Sequence, residues 1–267
     1  MKDNMLIFVP LCLLFGWMLP ADTMTIRVNA ILRHTVQDVP LSMVEDSVDD
    51  MYFGCQDAMM RKVQTNYFKT EIRNEKFFEA WEKTTECAQK EPKREDSALT
   101  KYHMHAICVY TDDLIYKEFN DAVRTERGKY GTSFEFHSLH FLLTSAVQIL
   151  NSNYQCHNTY RRTRSGFAGN VNEIIRFGSF TSSSYDNSLK QFGNETCFKI
   201  KTCSGAYLKY YPIYCEAEAE VLIPPYETFK VTEKMIGQGK FKELDDCKVV
   251  YLLESAGMKS NLNCKVV

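Results

Sequence analysis

Along the first half of the chain apolar residues recur mostly at helical spacing, and in the second half they fall into short β-branched and aromatic runs. Ser47 to Tyr67 is expected to form a helix. Asp46, Asp49 and Asp50 stand near its start, where carboxylates satisfy free amides and the positive end of the helix dipole. Phe77, Phe78, Ala80 and Trp81 mark the buried face of a second helix. Residues 88–98 (AQKEPKREDSA) are charged and hold a proline, so an exposed loop is expected there, followed by a short β-like run from His105 to Tyr110. Leu114, Ile115, Phe119, Ala122 and Val123 predict a helix over 114–127, and Leu139, Leu142, Leu143, Ala146, Val147 and Leu150 another over 136–150.

From residue 154 onward strands are expected at 174–180, 196–202, 206–211, 217–223, 227–234 and 249–253. Helices first and strands afterwards argue for an α+β protein rather than an alternating, doubly wound sheet. The expected organisation is a polar segment over 22–40 and one domain over 41–267, with a helical lobe at 41–150 and a β-rich core at 151–267.

Charge narrows the partners. With 32 Lys and Arg against 34 Asp and Glu, the chain has no basic surplus to neutralise a nucleic-acid backbone and no acidic excess typical of disorder. Its 267 residues suffice for a core without help from metal or disulfides. The meaning of its 10 cysteines therefore depends on the compartment. Lys2, the apolar run Met5 to Leu19 and Pro20-Ala21-Asp22 have the order of a secretory signal peptide over residues 1–21. A run of roughly 15 apolar residues is short for a membrane anchor, which needs about 20. Cleavage near Ala21 would remove Cys12 and leave an odd number of cysteines. The chain stops at Cys264-Lys-Val-Val267 without a polar spacer and apolar tail, so a secreted product with no glycolipid anchor is expected.

Candidate chemistry lies in three stretches: Tyr160-Arg161-Arg162, Phe177 to Ser184 (FGSFTSSS), and Glu216-Ala-Glu218-Ala-Glu220-Val-Leu-Ile-Pro-Pro225. Taken singly, an arginine, a serine run and alternating acids are ordinary surface features. If Glu218 and Glu220 share a strand, their side chains point to one face. Their order and flanks resemble the vertebrate ecto-mono-ADP-ribosyltransferases, the arginine-specific family that shares an active site with certain bacterial binary toxins. Further matching stretches are Ser47 to Cys55, Leu99-Thr-Lys101, Phe119 to Arg124, Ser138 to Thr144 and Ile175 to Gly178, so the resemblance runs from about Leu41 to Cys264.

The resemblance implies a helical lobe packed on a β-rich NAD-binding core and an NAD(P)-dependent protein-arginine ADP-ribosyltransferase, a pentosyl-transferring enzyme. NAD would be co-substrate without metal, and the partners would be arginine-containing acceptor proteins met by a monomer. Glu220 takes the family's catalytic position at the nicotinamide ribose, and Glu218 that of the acid serving the acceptor guanidinium. Ser182 would hold the ribose and orient Glu220, and Arg161 would hold a phosphate of the dinucleotide. Arg162 stands where the family usually has glycine. Tyr211 or Tyr214 is a candidate to stack on the incoming guanidinium.

The same resemblance implies the disulfides Cys55–Cys264 and Cys156–Cys203. That leaves Cys87, Cys108, Cys197, Cys215 and Cys247, of which at least one is expected to be free or intermolecular. Asn194-Glu-Thr196 is a glycosylation sequon. His103 with His105, and His137 with His140, share faces of their elements but lack the partners of a zinc site. Gly237-Gln-Gly239 is not a dinucleotide fingerprint. Two other functions remain open at this point, an NAD glycohydrolase and a catalytically silent secreted binding module on the same fold.

Overall fold

The computed structural model describes residues 38–214 and 217–267. The expected signal peptide, most of the 22–40 segment, Cys12, Cys215 and Glu216 lie outside the described residues. Among the described residues six α-helices precede every strand but a short first one: α1 Gln56–Lys62, α2 Phe68–Glu71, α3 Glu75–Lys83, α4 Lys101–Thr111, α5 Tyr116–Thr125 and α6 His137–Leu150. The strands are β1 Val39–Pro40, β2 His157–Thr163, β3 Phe167–Ala168, β4 Ile174–Ile175, β5 Thr181–Ser184, β6 Thr196–Thr202, β7 Ala206–Tyr207, β8 Glu220–Ile223, β9 Glu227–Ile236 and β10 Val249–Met258. This is the α+β order expected from the sequence.

Eight strands form one sheet in the order β4-β9-β10-β6-β2-β5-β8-β7, antiparallel except where β10 runs parallel to β6. One apolar cluster joins the helices to Phe180, Ala206, Leu208 and Leu222. A second, built on Phe198, Ile200, Phe229, Tyr251 and Leu253, fills another part of the sheet. The helical stripes at α5 and α6 pack as expected, because Phe119, Val123, Leu139, Leu142 and Leu143 have no solvent exposure.

Phe78, expected on the buried face of the second helix with Phe77, Ala80 and Trp81, is 49% exposed on α3, and two further expectations fail for identifiable reasons. His105 to Tyr110 is helical, part of α4, where every residue from Ala106 to Thr111 is buried. A segment buried all round shows no polar face, and its solid apolar run imitates a buried strand. His103 and His105 therefore share no strand face. The first helix starts at Gln56 rather than near Ser47, and Asp49 and Asp50 do not cap it. Asp49 Oδ2 pairs with Arg176 Nη1 at 2.7 Å, both side chains fully buried, and Asp49 Oδ1 accepts from the amides of Asn261 and Leu262. Asp50 accepts from the amides of Tyr52 and Cys264 and from the Tyr130 hydroxyl. These carboxylates fasten the end of the chain to the start of the helical lobe.

The disulfide Cys55–Cys264 closes the same junction, and Cys156–Cys203 joins the approach to β2 with the end of β6. Two more bridges, Cys87–Cys108 and Cys197–Cys247, pair four of the five cysteines left over in the sequence. Asn194 is exposed before β6. Among the described residues no helix is long and apolar enough to cross a membrane, and no group of three His, Cys, Asp or Glu side chains is placed to hold a metal.

Candidate active site

Strands β2 and β5 pair through Tyr160 and Ser184, whereas β2 and β6 pair along seven residues. The side chain of Arg161 reaches β5, where Nη1 donates to the Ser182 carbonyl at 2.6 Å. Arg162 turns the other way, as strand alternation requires. Its two terminal nitrogens hold both oxygens of Asp246 at 3.0 Å, and its Nε donates to Asn187 O. Arg162 is thus committed to a structural pair, and the side chains of the two neighbouring arginines point to different partners.

The serine run is β5, buried along its length. Ser183 Oγ donates to Val221 O and Ser184 Oγ to Glu218 O, so two of the three hydroxyls bind the backbone of the acid-bearing segment. Ser182 Oγ, which neighbours Tyr110 and Glu220, makes no well-formed hydrogen bond.

Glu220 opens β8, opposite Ser184 on β5, which places its side chain on the face that carries Ser182. Burial pushes its carboxyl up to about 8; the Glu218 charge adds to that, while Ser182 and Arg161 oppose it. Glu218 lies not on the strand but in the preceding turn, half-buried, and Ala219 between the acids has φ of 42°. Strand alternation therefore does not bring the acids together; the left-handed residue between them does.

Arg161 is 1% exposed, Ser182 0% and Glu220 3%, and each keeps a buried polar atom without a hydrogen-bond partner: Nε, Oγ and Oε1. Three such orphans in one place amount to a donor, a hydroxyl and an acceptor. The helical lobe adds residues not singled out in the sequence. Tyr110 and Tyr116 are buried beside the cluster, their hydroxyls pushed upward by burial first and by the Glu220 charge among the further causes. Arg124 on α5 donates through Nη2 to Ser179 Oγ at 2.5 Å. The helical periodicity of α5 places Arg124 one residue past Val123, but nothing in it marks a contact with the segment that leads into β5. Of the candidate stacking tyrosines, Tyr211 is fully buried with its hydroxyl on Asp96 and cannot meet an acceptor, whereas Tyr214 is 44% exposed.

A family model described as NAD:arginine ADP-ribosyltransferase matches residues 41–247. An erythroblast NAD(P)(+)--arginine ADP-ribosyltransferase of Gallus gallus is 35% identical over 242 residues, covering 87% of this chain and 77% of the relative. The crystal structure of the eucaryotic mono-ADP-ribosyltransferase ART2.2 superposes with a TM-score of 0.70 at 30% identity, covering 85% of this chain and 98% of that one. A mutant of the same enzyme, solved in complex with NAD, gives a TM-score of 0.68 at 29% identity, with the same coverage.

Proposed function

Because the chain belongs to the NAD:arginine ADP-ribosyltransferase family, we propose that Arg161, Ser182, Glu218 and Glu220 carry the transfer of ADP-ribose from NAD to arginine side chains of proteins, with release of nicotinamide. The catalytic unit spans residues 41–267. All four residues come from one chain, so a single copy is sufficient for this role.

The three partnerless buried atoms support this assignment of roles. Arg161 Nε–H suits a phosphate oxygen of the dinucleotide. Ser182 Oγ and Glu220 Oε1 suit ribose hydroxyls, Glu220 taking the 2′-hydroxyl. As the bond from C1′ to the nicotinamide nitrogen breaks, the ring leaves neutral and positive charge moves onto the ribose, as in glycoside hydrolysis. The Glu220 carboxyl, whose ionised form the entering nicotinamide cation favours, stabilises the ribosyl cation strongly because little water screens it. With so little exposed surface, the floor of the site has to open by side-chain or loop movement as the ribose enters.

The acceptor guanidinium is protonated and not nucleophilic in that state. Glu218, half-buried next to Glu220, holds that charge and takes the proton as the new bond from C1′ to nitrogen forms. The products are the arginine adduct, nicotinamide and one proton. An extracellular setting fits the four disulfides.

Product analysis with NAD and a small guanidine such as agmatine tests the roles. Glu220→Gln is expected to lower both transfer and NAD hydrolysis by about a hundredfold or more. Glu218→Gln is expected to keep hydrolysis and lose the adduct. Intact transfer in Glu218→Gln would remove the role given to that acid.

A further inference from the structure

The segment 87–96 is not merely an exposed loop. We infer that it is a strap that sets the position of Glu218, with Lys90 as its positioning residue, and that it thereby governs whether the ribosyl cation is captured by a guanidinium or by water. This rests on the function proposed above.

The strap grips the chain immediately before the acidic turn. Lys90 Nζ donates to three successive carbonyls, those of Tyr210, Tyr211 and Pro212, the first two at 3.0 and 3.3 Å. An ammonium has three protons, so this arrangement fixes three peptide planes with one side chain. The Tyr210 hydroxyl donates to Glu91 O at 2.7 Å. The Tyr211 hydroxyl accepts from the Lys93 amide at 2.9 Å and donates to Asp96 Oδ2 at 2.6 Å. Lys209 Nζ returns to Asp96 and Glu95 at 2.6 and 2.9 Å. The strap is itself fastened to α4 by Cys87–Cys108.

The two acids are held differently. Glu220 is fixed by β8, which pairs with β5 on one side and β7 on the other. Glu218 follows the strapped residues 209–213 in the chain and precedes β8, and it is tied on the sheet side through Ser184 Oγ to its carbonyl. Loosening the strap leaves Glu220 in the sheet and lets Glu218 shift. An ångström of misplacement at a reacting group costs a factor of about a hundred. The step that suffers is therefore proton removal from the acceptor, not cleavage of NAD.

The test measures free ADP-ribose and agmatine adduct, with KM for NAD and for agmatine, in wild type, Lys90→Met and Lys90→Arg. Lys90→Met is expected to raise the agmatine KM and the ratio of hydrolysis to transfer by about tenfold while KM for NAD stays constant. Lys90→Arg, which keeps the donors, is expected to recover most of the wild-type ratio. An unchanged ratio, or equal loss of both reactions in Lys90→Met, overturns the inference. If Lys90→Met does not fold, Lys209→Met, which removes two other strap contacts, decides the matter by the same ratio. A wild-type chain that makes neither product sinks the function itself and this inference with it, whereas a transferring wild type with an indifferent strap sinks only the latter.

Discussion

Glu220 stores a pH dependence that its neighbours explain. Its carboxyl titrates near 8 in the folded chain against 4.5 for the free side chain, raised by burial and by Glu218. Between those values the folded state binds the proton that the unfolded state releases. Stability from this group is therefore fully present below about pH 4.5 and falls as pH rises towards 8. Each unit of difference is worth about 1.4 kcal/mol, so the loss is of the order of a few kcal/mol. Thermal unfolding of wild type and Glu220→Gln across pH 4 to 9 should show a declining difference that levels off near pH 8; parallel curves would contradict it. The neighbourhood of Arg161, Ser182, Glu218 and Glu220 was legible as a motif because one arginine, one serine and two glutamates follow in the order of the resemblance. Why the Ser182 hydroxyl, rather than those of its neighbours, is left without a well-formed hydrogen bond was not legible, since it depends on Ser183 and Ser184 donating to carbonyls of β8 and of the turn before it.

At the level of elements, local signals were reliable wherever an element has one wet face. Helix α5 buries Phe119, Ala122 and Val123 while Lys117, Asp121 and Arg124 keep more solvent contact, and its periodicity was plain. Helix α4 has no such contrast, and its start is marked instead by Thr100, whose hydroxyl accepts from the His103 amide while His103 Nδ1 accepts from the Thr100 amide. Histidine in place of glutamate or glutamine hides this capping box from a sequence reading. Burial lowers His103 to about 4, which keeps the ring neutral and able to accept. Thr100→Ala should cost about 1 kcal/mol in urea unfolding, and no change in midpoint would show the cap to be idle. Strand β2 escaped notice for the opposite reason, because its buried positions include two arginines, which no alternation of apolar residues announces.

For the whole molecule, α+β segregation followed from element order, but the closure of the chain on itself did not. Asp49 and Asp50 resemble helix-start residues in sequence, and their partners include Arg176, 127 positions from Asp49, and amides more than 200 positions away. Such pairings are set by tertiary packing and leave no local trace. The bridge from Cys55 to Cys264 spans 209 positions and is worth about 5 kcal/mol by chain entropy. Cys55→Ser should therefore lower the melting temperature by several degrees or more; an unchanged melting point would show the carboxylate contacts alone to hold the junction. The bridge also makes the protein a covalent ring in which any single peptide cut between its ends opens the ring without releasing a piece. A limited tryptic digest should run as one band until reductant is added, then as two. Proteolysis under oxidising conditions would in this way cut the chain open before cutting it apart.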